Sequence, residues 1–271
     1  MLLALAEHGI APDLIVGTSA GAINAAWIAE RPGLDGARRL ADIWRTIRRR
    51  DVFPVNPVLG LLGLFGRRDY LVGSSRLRAL LTRHLSLESL ERSPVPLRVV
   101  ATEITSGVEV VIDRGSAIDA VIASAAIPAV FPPVSIEGRH LVDGGVADNT
   151  PISHAIGAGA STVYVLPTGY ACSLDRPPRG ALAIALQAIN LLVQQRLRSD
   201  VERYRETVDL RVIPPLCPLN VSPLDFSHTS ELIDRAYHST REWFALGQPR
   251  RDEPAVLDFH DHDDDQPRTS A

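Results

Sequence analysis

The sequence predicts an α/β fold, with a mostly parallel sheet covered by helices over residues 1–247 and an acidic tail over 248–271. Three observations lead there. Short runs rich in Val, Ile and Leu alternate with longer helix-like patterns, the order that buries a parallel sheet between helices. Near the amino terminus, Leu14-Ile15-Val16, then Gly17-Thr18-Ser19-Ala20-Gly21, then the helix-prone run Ala22 to Ile28 read as strand, sharp turn and helix. A chain of 271 residues with 45% apolar and 22% charged content is also large enough for one substantial core.

In chain order, strands are expected at Leu14 to Val16, Leu97 to Thr102, Val108 to Ile112, His140 to Val142, Thr162 to Leu166 and Leu210 to Ile213. Helices are expected at Ala20 to Glu30, Gly36 to Thr46, Ser75 to His84, Ala117 to Ala125, Ile152 to Ala158, Gly180 to Arg205 and Ser230 to Ala245. Thr150 before Pro151 reads as a helix N-cap with proline at the first helical position. The apolar stretch Ala181 to Val193 is too short to span a membrane and reads as a buried or interfacial helix.

Charge is unevenly spread. Arg31 to Arg83 carries 12 Arg against 4 acids, whereas Gln248 to Ala271 carries 3 Arg against 7 acids. The second segment, with Pro249, Pro254, Pro267 and the run Asp261-His262-Asp263-Asp264-Asp265, reads as a solvated tail. The apolar, glycine-broken segment Val58 to Gly66 lies between Arg48-Arg49-Arg50 and Arg67-Arg68, so residues 58–68 suit either contact with anionic lipid or a cap over the domain. Cys172 and Cys217 lack metal-type spacing and point to a reducing, cytoplasmic setting, while residues 58–68 point to peripheral contact at a membrane. Nucleic-acid binding is not expected, because the arginines are not interleaved with aromatics, which make up 5% of the chain.

The turn around Ser19 is the strongest chemical signal. A serine between a strand and a helix is pushed into the open, and glycines two residues either side let the two elements approach without a Cβ clash. The helix that follows aims free N–H groups and a partial positive charge at the place where an oxyanion would form. A phosphate-gripping turn is the plainer alternative. The serine needs a base, and the eight histidines offer no clear one. Asp143, at the end of Leu141-Val142 and followed by Gly144 and Gly145, stands at a strand end before a tight turn. Asp148 is its nearby rival, although Asp148 and Asn149 sit better as caps for the helix after Pro151.

Ahead of that turn lies Ala123-Ser124-Ala125-Ala126-Ile127-Pro128-Ala129-Val130-Phe131-Pro132-Pro133. With G-x-S-x-G at Gly17 to Gly21 and D-G-G at Asp143 to Gly145, this segment makes the chain resemble the patatin-like phospholipases from about Leu2 to Arg205. The resemblance implies a three-layer α/β/α fold and a Ser–Asp dyad acting on lipid acyl esters without metal or cofactor. It makes Ser19 the nucleophile and Asp143 the base. The family pattern also carries a glycine-rich G-G-G-x-R/K-G loop ahead of the serine, which this chain lacks. The Ala20 N–H remains as an oxyanion donor, and reduced activity is expected, from an amino-terminal truncation or a degenerate relative. Two other readings are a conventional α/β-hydrolase using His154, His228 or His238, and a lipid-binding or regulatory relative without turnover.

Overall fold

The computed structural model describes residues 1–54, 70–168, 177–217, 219, 221, 225–248 and 257. It begins with α1 (Leu2–Glu7), β1 (Ile15–Thr18), α2 (Ala20–Glu30), α3 (Leu34–Thr46) and the short α4 (Arg49–Val52). Next come α5 (Ser75–His84), β2 (Leu97–Glu103), β3 (Glu109–Ile112), α6 (Ala117–Ser124), β4 (Val134–Ile136) and β5 (Arg139–Asp143). The order closes with α7 (Ile152–Gly157), β6 (Thr162–Val165), α8 (Ala181–Tyr204), β7 (Asp209–Val212) and α9 (Thr229–Ala245). Residues 58–68, Cys172 and nearly all of the 248–271 tail lie outside the described residues.

Five strands form a mixed sheet in which β1, β2 and β4 run one way and β3 and β5 the other. β6 and β7 form a separate parallel pair. The register around β2 fixes the rest of the architecture. β3 pairs with Val99 to Thr102 of β2, overlapping both the stretch that pairs with β1 and the stretch that pairs with β5. A strand has two hydrogen-bonding edges, so β1 and β5 must share the edge opposite β3, lying end to end. Thr18 faces Val100 and Asp143 faces Ala101, so the carboxyl ends of β1 and β5 meet.

Every strand and helix expected from the sequence is present, with ends displaced by at most two residues. The strand β4 was not expected. Its three residues follow Pro132-Pro133 and are too few to show a period of two, yet Glu137 and Gly138 form the hairpin turn to β5, with φ of 50° and 78°.

Helices cover the strands on more than one side. A large apolar cluster joins α2, α3, α5 and α6 to β2, with Val99, Ala101, Leu77, Leu90 and Ile122 at most 2% exposed. Alternate residues of β6 feed two further clusters. Val163 and Val165 pack with Leu197 and Val201 of α8, while Tyr164 packs with Leu5 of α1 and Trp243 and Phe244 of α9. Period-two alternation puts those helices on opposite faces of β6, which is the layered arrangement expected. Of the two readings of Ala181 to Val193, buried or interfacial, the first does not hold for the first half of α8, since Ile184 is 55% and Leu192 70% exposed. Among the described residues, no helix is long and apolar enough to cross a membrane.

Candidate active site

Ser19 stands at the junction of β1 and α2 with φ 53° and ψ −125°, a backbone conformation that only a tightly held turn imposes on a non-glycine residue. Four contacts hold it. Its N–H donates to Ser124 Oγ at 2.8 Å, and its carbonyl accepts from the N–H groups of Ala22 and Ile23. Its hydroxyl donates to Asp143 Oδ2 at 2.6 Å, so the head-to-head ends of β1 and β5 join the two side chains directly.

The glycines divide by role. A Cβ on Gly17 would stand 2.6 Å from the Gly21 carbonyl oxygen and 2.8 Å from Ala25 Cβ, so strand and helix could not approach as they do. A Cβ on Gly21 would meet nothing within 4 Å, which corrects the expectation that both glycines serve the close approach. Gly144 permits the second contact. A Cβ there would fall 2.2 Å from the Val100 carbonyl oxygen and 2.8 Å from Thr18 Cγ2. Gly145 contributes its N–H, donated to Asp143 Oδ1 at 2.8 Å.

Asp143 is 7% exposed, and its backbone N–H donates to the Ala126 carbonyl. Burial pushes its carboxyl up to about 6, against the opposing pull of the Ser19 and Gly145 hydrogen bonds. A carboxylate so placed is a far better proton acceptor near neutrality than an exposed aspartate, whose pKa is about 3.9. Ser124 is the residue whose part sequence reasoning missed. Fully buried, it donates to the Val100 carbonyl at 2.6 Å while accepting from Ser19, so one side chain ties the elbow to the central strand. The signal was present in the Ala-Ser-Ala-Ala-Ile-Pro segment, without a role attached.

Asp148 has a different position from either expectation. Its Oδ1 accepts from the Thr150 N–H at 3.1 Å in a turn, and α7 begins after Pro151 with no side-chain cap. Thr150 is therefore not the cap, and the proline precedes the first helical residue. Burial, then the Glu109 and Asp200 carboxylates, push Asp148 up to about 6 as well, with Arg196 opposing. The histidines are engaged elsewhere: His154 Nε2 lies 3.0 Å from Glu109 Oε2, His228 Nδ1 3.1 Å from Glu231 Oε2, and His238 packs edge-on against Tyr237. Ala20 is exposed at the start of the 11-residue α2, where the first N–H groups have no intrahelical acceptor.

The architecture is that of an α/β domain with a serine elbow at the end of β1, the strand beside central β2. The family model described as patatin-like phospholipase matches residues 1–156, more than half of the sequence, and the chain belongs to that family. It is 39% identical over 72 residues to an uncharacterized NTE family protein of Mycobacterium tuberculosis, covering 27% of this chain and 20% of that protein. It is 30% identical over 171 residues to human patatin-like phospholipase domain-containing protein 6, covering 62% of this chain and 12% of the relative. Lysophospholipase NTE1 of Scheffersomyces stipitis is 25% identical over 186 residues, covering 66% of this chain and 11% of that protein. The chain thus spans a fifth or less of the length of these relatives.

Proposed function

We propose that this chain is a lipid acyl hydrolase that works through a Ser19–Asp143 dyad and an acyl-enzyme. The observation that carries the reading is the 2.6 Å hydrogen bond from Ser19 Oγ to a buried carboxylate with a raised pKa. Ser19 Oγ attacks the ester carbonyl as its proton passes to Asp143 Oδ2, and the oxyanion lies toward the Ala20 N–H at the positive end of α2. Collapse breaks the bond to the leaving alcohol, which takes the proton from Asp143. Water then attacks the acyl-serine, giving its proton to Asp143, and Ser19 recovers that proton as the fatty acid departs. The substrate class follows from the family and from the names of the lysophospholipase and patatin-like phospholipase relatives. The alternative reading is a lipid-binding or regulatory relative without turnover.

Hydrolysis of a lysophospholipid and of a short acyl ester, compared among the wild type, Ser19→Ala and Asp143→Asn, tests the proposal. Turnover by the wild type that falls at least about 100-fold in each variant, with folding retained, is the expected result. Binding of lipid with no turnover in any form would favour the alternative. The segment 58–68 adds a peripheral membrane contact to the proposal, on the strength of its apolar residues between arginine clusters.

A further inference from the structure

Beyond the dyad, three side chains from separate parts of the fold converge beside the aspartate turn. Glu109 begins β3, Asp148 lies five residues past Asp143, and His154 belongs to α7. One ligand-type atom from each lies within 4.8 Å of the other two. His154 Nε2 and Glu109 Oε2 are already 3.0 Å apart. Asp148 is 1% exposed, and while its Oδ1 is occupied by the Thr150 N–H, its Oδ2 is buried without a hydrogen-bond partner among the described residues.

A buried carboxylate oxygen with no donor is costly, and it calls for a cation. The nearest one, Arg196, does not supply what is missing. Its Nε is committed to Asp200 at 2.7 Å, whereas its Nη2 stands 3.3 Å from Glu109 Oε1 and 4.0 Å from Asp148 Oδ2. Asp148, Glu109 and Asp200 set three carboxylates against this one guanidinium, an excess of two negative charges. A divalent ion would balance them.

We propose that Glu109, Asp148 and His154 bind a first-row divalent transition-metal ion, of which Zn²⁺ is the best match. One imidazole nitrogen with two carboxylates suits zinc, whereas calcium and magnesium prefer all-oxygen shells. Ligand atoms about 2.0–2.2 Å from such an ion require the three groups, whose ligand-type atoms lie within 4.8 Å of one another, to draw closer together. The Glu109 and His154 side chains are 26% and 23% exposed, which leaves an entry path and room for water as the remaining ligand. Arg196 keeps its bond to Asp200 and turns its Nη2 outward.

The ion would act as a clamp rather than in the chemistry. The Asp148 N–H donates to the Gly144 carbonyl at 2.8 Å, and its carbonyl accepts from Thr18 Oγ1 at 3.0 Å. Fixing Asp148 therefore fixes the residues adjoining Ser19 and Asp143, without touching either.

The test is calorimetric titration of ZnCl₂ into the 271-residue chain after chelator treatment and dialysis, with thermal melts alongside. One zinc per chain is expected at micromolar affinity or tighter, with a higher melting temperature and a much weaker response to Mg²⁺ and Ca²⁺. Glu109→Gln and His154→Gln should each weaken zinc binding by about tenfold or more, and Asp148→Asn should abolish it. Should Asp148→Asn fail to fold, the two partly exposed positions carry the test. No stoichiometric uptake by the wild type, or uptake unchanged in Glu109→Gln and His154→Gln, would overturn the proposal.

Discussion

Asp143 is a buried carboxyl and the base we propose for the dyad, and the two roles make opposite demands on pH. Its pKa of about 6 in the folded chain lies above the unfolded value, so between the two values the folded state holds more protons. Stability therefore falls as pH rises through that window, by on the order of 3 kcal/mol for a shift of about two units. Hydrolysis moves the other way, since only the ionised form accepts the Ser19 proton. A pH profile of kcat/KM should rise through an apparent pKa of about 6. In Asp143→Asn, turnover should be lost while the melting temperature at pH 8 stays level or increases, because an uncharged group replaces a buried charge. Ser124 offers a separate check. Ser124→Ala leaves the Ser19 N–H and the Val100 carbonyl without partners, which should cost about 1–3 kcal/mol in urea unfolding and slow turnover through a loosened elbow.

At the scale of elements, the two turns are specified by close approach. Gly17→Ala forces a Cβ against the Gly21 carbonyl and Ala25, so a loss on the order of 2 kcal/mol is expected in denaturant titration. Gly21→Ala meets open space on a helix and should be neutral or slightly stabilising, apart from any effect on substrate. The contrast was not legible in the sequence, where both glycines belong to one motif. Which of them faces α2 and which faces space depends on how the helix leaves the strand. The element types themselves were legible, because alternation of β-rich and helical runs survives without tertiary information. By the same limit β4 escaped notice, since three residues behind two prolines carry no period. The exposed first half of α8 also lay beyond sequence reading, because periodicity cannot tell which side of an apolar helix is covered.

On the scale of the whole molecule, the hydrogen bond between Ser19 and Asp143 exists because β1 and β5 meet end to end on one edge of β2. No local pattern encodes that meeting, as Ser19 and Asp143 lie far apart in the chain and the register of three strands must agree. The resemblance of the motifs implied the pair, and the register supplies its physical reason. The same scale holds the question of the membrane. Liposome binding should increase with anionic lipid, weaken with salt, and fall when Leu61, Leu62, Leu64 and Phe65 are replaced by serine. Unchanged binding in that variant, measured by flotation, would return residues 58–68 to the role of a cap.

The central claim is that Ser19 is an activated nucleophile whose reactivity depends on Asp143. Reaction with a fluorophosphonate, followed by peptide mass mapping in the wild type and Asp143→Asn, tests it most directly. The dyad predicts a single adduct on Ser19, forming faster as pH rises through about 6 and at least about 100-fold more slowly in Asp143→Asn. An adduct on another serine with Ser19 unmodified, or equal labelling of Ser19 in both proteins, would contradict it.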